Sequence, residues 1–306
     1  MGKISAVISA YNEEKHIERC LKSLGFADEI VVVDNSSTDK TVSIASKYTN
    51  KIFTQKNNPK EIDIQKNFGF ERSTNEWILS IDADEEVSGE LAQEIKQILS
   101  AKPSSIASIN GFWIPRKNYI FGKWIKNNTG WYPDYQLRFF RRERGKYESR
   151  KVHEDLSLEG ETEKLTQHLI HHNYDSIDQY VKKILIYAPN EAEALISNGY
   201  EFSFFDVIRF PLSDFLSWFF ARKGYKDGFY GLVLSIMQAF YHFLVFAFIW
   251  EKKGFKDYEG DEFIKETEKE FKKAGKEITF WLTKEKLDSI KNPITRNISK
   301  ITSKFH

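Results

Sequence analysis

Two carboxylates spaced two apart, Asp82 and Asp84 around Ala83, close the apolar run Trp77-Ile78-Leu79-Ser80-Ile81. Residues i and i+2 of an extended chain point to one side, so both carboxylates can converge on one cation or one polyol. An oxygen-rich pair of this kind suits Mg2+ or Mn2+ holding a diphosphate. The D-x-D pattern alone is more often a solvated strand-to-loop turn than a metal site. The elements around it decide which reading applies here.

Those elements alternate. Ile4 to Ser9 reads as a short buried strand, after which Asn12 offers an N-cap with Glu13 and Glu14 in a first helical turn. Ile17, Leu21 and Leu24, with Cys20 alongside, follow at helical spacing. Glu29 to Val33 is a second strand ending at Asp34, and the polar turn Asn35-Ser36-Ser37-Thr38-Asp39 can cap a helix carrying Val42, Ile44 and Ala45. Lys51 to Thr54 predicts a third strand, Glu61 to Arg72 a third helix and Trp77 to Ile81 a fourth strand. Strand and helix in alternation imply a parallel sheet covered on both faces, with ligands gathering beyond the strands' carboxyl ends. Tyr11 to Glu13, Asp34 and the Asp82/Asp84 pair all fall at such ends. Neither G-x-G-x-x-G nor G-x-x-x-x-G-K-[ST] occurs at these turns, so phosphates are left to a metal. Ile106 to Leu158 predicts short aromatic strands in a smaller mixed sheet. Asp175 to Ala188 reads as a helix, and beyond about residue 195 the chain is helical throughout.

At 306 residues the chain is long for a single core and implies a main domain with an appendage. Its net charge of +1, with no strongly basic face, argues against a nucleic-acid partner. Cys20 is the sole cysteine, which excludes an internal disulfide and a cysteine zinc site and fits a reducing compartment. Met1 to Ser9 is too short and too weakly apolar for a signal peptide, and a cytoplasmic location is expected.

Taken in order, Ala10-Tyr11-Asn12-Glu13-Glu14, Val33-Asp34-Asn35-Ser36-Ser37-Thr38-Asp39, Gln65-Lys66-Asn67 and Asp82-Ala83-Asp84-Glu85 resemble the inverting family 2 glycosyltransferases of GT-A fold. Leu137-Arg138-Phe139-Phe140-Arg141-Arg142, Val152-His153-Glu154 and His171-His172-Asn173-Tyr174 are similar to the branch that builds bacterial lipopolysaccharide or lipooligosaccharide cores, often as β-glucosyltransferases. The resemblance implies an α/β fold with a mixed, mainly parallel sheet and helices on both faces, followed by a helical membrane-associating region. In domains this means residues 1–195 for transfer, with a nucleotide half of about 1–100 and an acceptor half of about 101–195, and residues 196–306 for membrane association or an interface.

The same resemblance implies roles. Ala10, Tyr11 and Asp34 would hold uracil, with Glu13 and Ala83 beside them in the nucleotide-sugar motifs. Lys66 would lie near the nucleotide, Asp82 would face the ribose, and Asp84 would bind Mg2+ or Mn2+, with His171 as a further metal ligand in preference to His172. Glu154 falls where the family's acceptor-side acid usually lies and is the expected base, with Asp155 second. Among the aromatic and basic residues of the acceptor span, Trp131 could cover a sugar face and Arg138 could meet a phosphate.

Phe229 to Trp250 contains no Asp, Glu, Lys or Arg and reaches the roughly 20 residues a bilayer span needs. Ser235, Gln238 and His242 form a polar stripe on it, and Lys252, Lys253 and Lys256 follow, which favours a helix lying in the membrane interface over a span. A buried dimer or domain interface is the rival reading. The expectation is a cytoplasmic enzyme, peripheral on the inner face of the membrane, moving glucose from UDP-glucose to a surface-glycan or glycolipid acceptor, with homo-oligomer formation possible. Transfer to a polyprenyl phosphate is the alternative, and a catalytically silent carbohydrate-binding or scaffold protein is the non-enzyme one. A phosphatase D-x-D-x-[TV] loop is not matched, since Glu86 stands at the Thr/Val position.

Overall fold

The computed structural model describes residues 2–58, 63–127, 132–150 and 153–290, with residues 103, 149, 150 and 153–155 defined by their backbone alone. In chain order the elements are β1 (Ile4–Ala10), α1 (Ile17–Ser23), β2 (Glu29–Asp34), α2 (Thr41–Ala45), β3 (Ile52–Thr54), α3 (Asn67–Phe70), β4 (Trp77–Asp82), β5 (Glu85–Val87) and α4 (Gly89–Ser100). There follow β6 (Ile109–Ile120), β7 (Lys123–Trp124), β8 (Asp134–Arg141), β9 (Gly145–Arg150), β10 (His153–Leu158), β11 (Glu161–Lys164) and β12 (Leu169–Tyr174). Four helices end the described chain: α5 (Ile177–Ser197), α6 (Asp206–Leu216), α7 (Phe229–Lys252) and α8 (Phe263–Ser289).

Strands β3, β2, β1 and β4 lie side by side and parallel, as the alternation predicts. Alternate side chains of β1 serve two cores. Ile4, Ala6 and Ile8 pack with α1 and with Leu91, Ile95 and Leu99 of α4, while Val7 packs with Phe70 of α3, Phe140 and Tyr147 on the other face. Gly69 is required where α3 crosses the sheet, because a Cβ there would stand 2.5 Å from Val7 Cγ1 and 2.7 Å from Val33 Cγ2. The arrangement is the mixed α/β sheet, covered on both faces, that the GT-A resemblance implies.

Three expectations change. The aromatic strands beyond residue 106 do not make a separate sheet: β8 pairs antiparallel with β4, and the order continues β8-β6-β12-β5, because Trp77, Phe112 and Phe139 stack into one aromatic layer across the junction. Only β9 and β10 pair apart from it. Asn12 does not cap a helix. It takes a positive φ of 56° in a loop, and α1 begins at Ile17. The third helix is short, a single 3-10 turn at Ile64–Lys66 leading into α3, with residues 59–62 of the expected span outside the described residues.

Closing the sheet order on β5 has a geometric cost that shapes the site. Four steps from β4 to β5 would be about 19 Å in a flat sheet, yet only Ala83 and Asp84 join Asp82 to Glu85, a reach of about 11 Å at most. The sheet therefore curls, and β12 arrives beside the Asp82–Glu85 turn, with His171 opposite Glu85 in register.

Among the described residues, those of Met1–Trp124 and Tyr132–Asp175 form one compact unit and those of Ile125–Trp131 and Ser176–His306 a second. Helix α5 runs without a break across residues 195 and 196, and its Ala188 and Ala192 pack on Val245 and Ile249 of α7. Within the second unit Asp227 accepts from the backbone N–H groups of Lys126 (3.3 Å) and Asn127 (2.8 Å). The polar stripe of α7 turns inward there: Gln238 Nε2 donates to Asp214 at 3.0 Å, and His242 bridges Asp214 and Glu191. Phe229, Ile236 and Phe240 are left 77%, 53% and 48% exposed.

Candidate active site

The loops that follow β1 and β2 are zipped into one rim. Ala10 and Asp34 are neighbours in register, and Ala10 O accepts from Asn35 N at 2.9 Å. Asp34, buried, accepts from Ser37 N (3.1 Å), and Asn12 both donates from its backbone to Ser37 Oγ (2.9 Å) and accepts from Thr38 N (2.8 Å). Glu13 donates from its backbone to Thr41 Oγ1 at 2.8 Å, while its carboxylate meets buried His16 at 2.8 Å, whose other ring nitrogen lies 2.7 Å from Asp175. The Glu13 hydrogen bond, reinforced by Asp175, outweighs burial and raises the His16 pKa. Tyr11 remains exposed on this rim.

Beside the rim, Asp82 ends β4 between two buried cations. Lys66 Nζ lies 2.6 Å from Asp82 Oδ1 and 2.6 Å from Asp63, and the Arg138 guanidinium pairs with Asp82 Oδ2. Arg138 also donates to the Tyr147 hydroxyl at 3.2 Å, and Lys66 stands over the Tyr147 ring. Burial and Arg138 push the Lys66 ammonium down, but Asp82, Tyr147 and Asp63 prevail and hold it above its ordinary range. Burial works against ionised Asp82 in the same way, and Arg138 and Lys66 override it, holding its carboxyl well below the usual range. Both partners are thus charged.

The turn that follows is organised by Glu85, which is 1% exposed. Its Oε2 accepts from Asp82 N at 3.0 Å, and its Oε1 accepts from Arg116 at 3.1 Å and Arg138 at 3.4 Å. Arg116 reaches on to Asp134 (2.8 Å), and Asp134 accepts from the Asn118 amide at 3.0 Å. A carboxylate can only accept, so Asn118 presents its Oδ1 to His171 and accepts the Nδ1–H at 2.7 Å. The lone pair of His171 is then on Nε2, which stands 3.5 Å from Asp84 Oδ2.

That separation is long for a direct hydrogen bond. Two ligand atoms held at right angles by one Mg2+-sized ion sit about 3 Å apart, so the pair suits a shared divalent cation. Among the described residues no cluster of three or more His, Cys, Asp or Glu forms, so further positions would fall to phosphate oxygens and water, the usual way Mg2+ is held. His172 faces elsewhere, 3.6 Å from Glu86.

The residues singled out in the sequence fall as follows. Ala10, Tyr11, Glu13, Asp34, Lys66, Asp82, Ala83, Asp84 and His171 lie at or beside the carboxyl ends of the strands. Asp82 and Asp84 do not converge on one point: Asp82 is the last strand residue, the turn after it breaks the alternation, and each takes its own partners. Arg138, expected on the acceptor side, pairs with Asp82, Glu85 and Tyr147. Glu154 and Asp155 lie on β10 opposite Ser149 and Glu148, their side chains outside the described residues, as is all of Trp131. Sequence reasoning passed over Glu85, Arg116, Asn118, Asp134 and Tyr147. Glu85 could have been suspected as the fourth residue of Asp82-Ala83-Asp84-Glu85; the others carry no local signal.

The Glycosyl transferase family 2 model matches residues 5–157. The lipopolysaccharide core biosynthesis glycosyltransferase LpsC of Rhizobium meliloti (strain 1021) is 28% identical over 263 residues, covering 83% of this chain and 94% of its own. An uncharacterized glycosyltransferase of Rickettsia typhi is 32% identical over 255 residues, covering 81% and 86%. Among solved structures, the mannosyltransferase PcManGT from Pyrobaculum calidifontis, in complex with GDP-Man and Mn2+, gives a TM-score of 0.46 at 14% identity over 82% of this chain and 88% of that one. Staphylococcus aureus TarS 1-349 in complex with UDP-GlcNAc gives 0.39 at 14% identity over 85% and 94%. The chain belongs to glycosyl transferase family 2 and is a glycosyltransferase.

Proposed function

We propose that this glycosyltransferase moves a hexose, glucose as the first candidate, from its UDP ester to a hydroxyl of a surface glycan such as a lipopolysaccharide core, with inversion at the anomeric carbon. The observation that carries the reading is the pairing of His171 Nε2 with Asp84 at 3.5 Å beside the Lys66–Asp82–Arg138 cluster. The name of the Rhizobium relative supports the acceptor class.

In this reading Ala10, Tyr11 and Asp34 receive the uracil ring and Asp82, held in place by Lys66 and Arg138, faces the ribose. Mg2+ or Mn2+ held by Asp84 and His171 would supply charge neutralisation of the leaving diphosphate. Glu154 takes the proton from the acceptor hydroxyl at a carboxylate oxygen, which requires it ionised before attack. Arg138 serves the donor side through Asp82, and Trp131 remains the acceptor residue. The domain division proposed is transfer by the first unit and membrane association by the second.

Peripheral attachment through α7 is part of the proposal. It is the one described helix long and apolar enough to cross a bilayer. A span would carry the His242–Asp214–Glu191 cluster, near the middle of α7, into the hydrocarbon, where ionised groups are costly. Lying in the interface instead, α7 keeps those ions within the helical unit and offers Phe229, Ile236 and Phe240 to lipid from the inner, cytoplasmic face.

A thermal-shift screen of nucleotide sugars with and without Mn2+ tests the donor side, with UDP-glucose plus Mn2+ expected to stabilise most. Label from the best donor should then pass to a truncated core oligosaccharide. Passage to a polyprenyl phosphate alone would overturn the acceptor class.

A further inference from the structure

We infer that Glu85 is a positioning residue that ties nucleotide grip at Asp82 to cation grip at Asp84, so that the two are lost together when it is altered. The inference rests on the proposed reading of Asp84 and His171 as cation ligands.

Glu85 is a side chain that reaches both halves of the site. Its two oxygens take three donors, Asp82 N on β4, Arg116 on β6 and Arg138 on β8. Through Arg138 it sets one side of Asp82 and the Tyr147 hydroxyl. Through Arg116, Asp134 and Asn118 it reaches the ring of His171, and its own strand pairs with β12 at His171. Guanidinium groups are rigid forks, so a shift of the carboxylate at their common end moves both arms. A carboxylate is needed because every group facing it is a donor. In Glu85→Gln, of nearly equal volume, either orientation of the amide sets an NH2 against the Asp82 N–H or against the two guanidiniums. A purely structural Glu85 would lower stability and leave the two affinities of the folded protein alone.

The full chain is titrated with UDP in EDTA, and then, saturated with UDP, with Mn2+, for the wild type, Glu85→Gln and Asn118→Leu. Glu85→Gln is expected to lose about 10- to 100-fold in both affinities, the range for altering a partner of a metal ligand. Asn118→Leu, which cuts only the arm to His171, is expected to lose Mn2+ affinity by about tenfold with UDP affinity in EDTA unchanged. Wild-type affinities in folded Glu85→Gln, or loss of one alone, would overturn the coupling. Should Glu85→Gln fail to fold, Asn118→Leu still decides, since wild-type Mn2+ affinity there removes the relay. Wild-type protein that binds UDP but no Mn2+ would overturn the cation reading itself, whereas Mn2+ binding by the wild type with an unaffected Glu85→Gln overturns only the role of Glu85.

Discussion

His171 Nε2 faces Asp84 Oδ2 across 3.5 Å while Asn118 holds the opposite ring nitrogen at 2.7 Å. A neutral ring fixed in this way offers its lone pair to the site. Asp84→Asn and His171→Ala should each weaken Mn2+ binding to the UDP complex at least tenfold, with UDP affinity in EDTA preserved. Calorimetric titration reads both, and unchanged Mn2+ affinity in His171→Ala removes it as a ligand.

Glu154→Gln should lower transfer by about 10²- to 10⁴-fold while the donor still binds. Asp155→Asn should keep most of the rate. The reverse ranking in a UDP-release assay would exchange their roles.

Buried Lys66 pairs with part-exposed Asp82, which Arg138 also holds, so removing Lys66 leaves Asp82 with one cation in place of two. Lys66→Met should cost about 1.5–3 kcal/mol, and Asp82→Asn should cost less in that variant than in the wild type. Additive losses in a double-mutant cycle of denaturant midpoints would show that the contact is not energetically coupled.

His242 predicts a pH effect in the helical unit. Burial lowers its pKa, but the hydrogen bonds it donates to Asp214 and Glu191 prevail and push it up to about 9. A raised folded pKa contributes stability that is complete below the unfolded value of about 6.5 and lost as pH rises toward 9. The effect is at most about 3 kcal/mol, reduced by partial exposure to solvent. Unfolding of the second unit should therefore become easier between pH 6.5 and 9, and the slope should flatten in His242→Gln. An equal slope in both proteins would assign it to other groups.

Ile236, Phe240 and Phe243 are the exposed apolar residues near the middle of α7. Burying each in lipid is worth about 1.5–3 kcal/mol, so the triple change to Gln should abolish sedimentation with anionic vesicles. Undiminished binding would place the membrane contact elsewhere.

The first four parallel strands were readable because each buried run ends in a polar turn, as Val33-Asp34-Asn35 and Ile81-Asp82 do. The same pattern singles out Asp34, Asp82 and Asp84, and the ordered motifs single out Lys66 and His171. The closure of the sheet was not readable, since the pairing of Glu85 with His171 depends on long-range register. Nor could Arg138 be aimed: alternation gives a strand residue two faces, and its turn toward Asp82 follows from β8 lying next to β4. Asn12 looked like a helix cap because its side chain does cap something, the backbone N–H of Thr38 in the neighbouring loop.

The most direct test is a crystal of the protein grown with UDP and Mn2+ and measured at the manganese absorption edge. An anomalous peak bridging Asp84, His171 and the diphosphate, with uracil against Ala10 and Asp34, is the predicted result. A peak away from Asp84, or a nucleotide bound apart from the ends of β1, β2 and β4, would contradict the account.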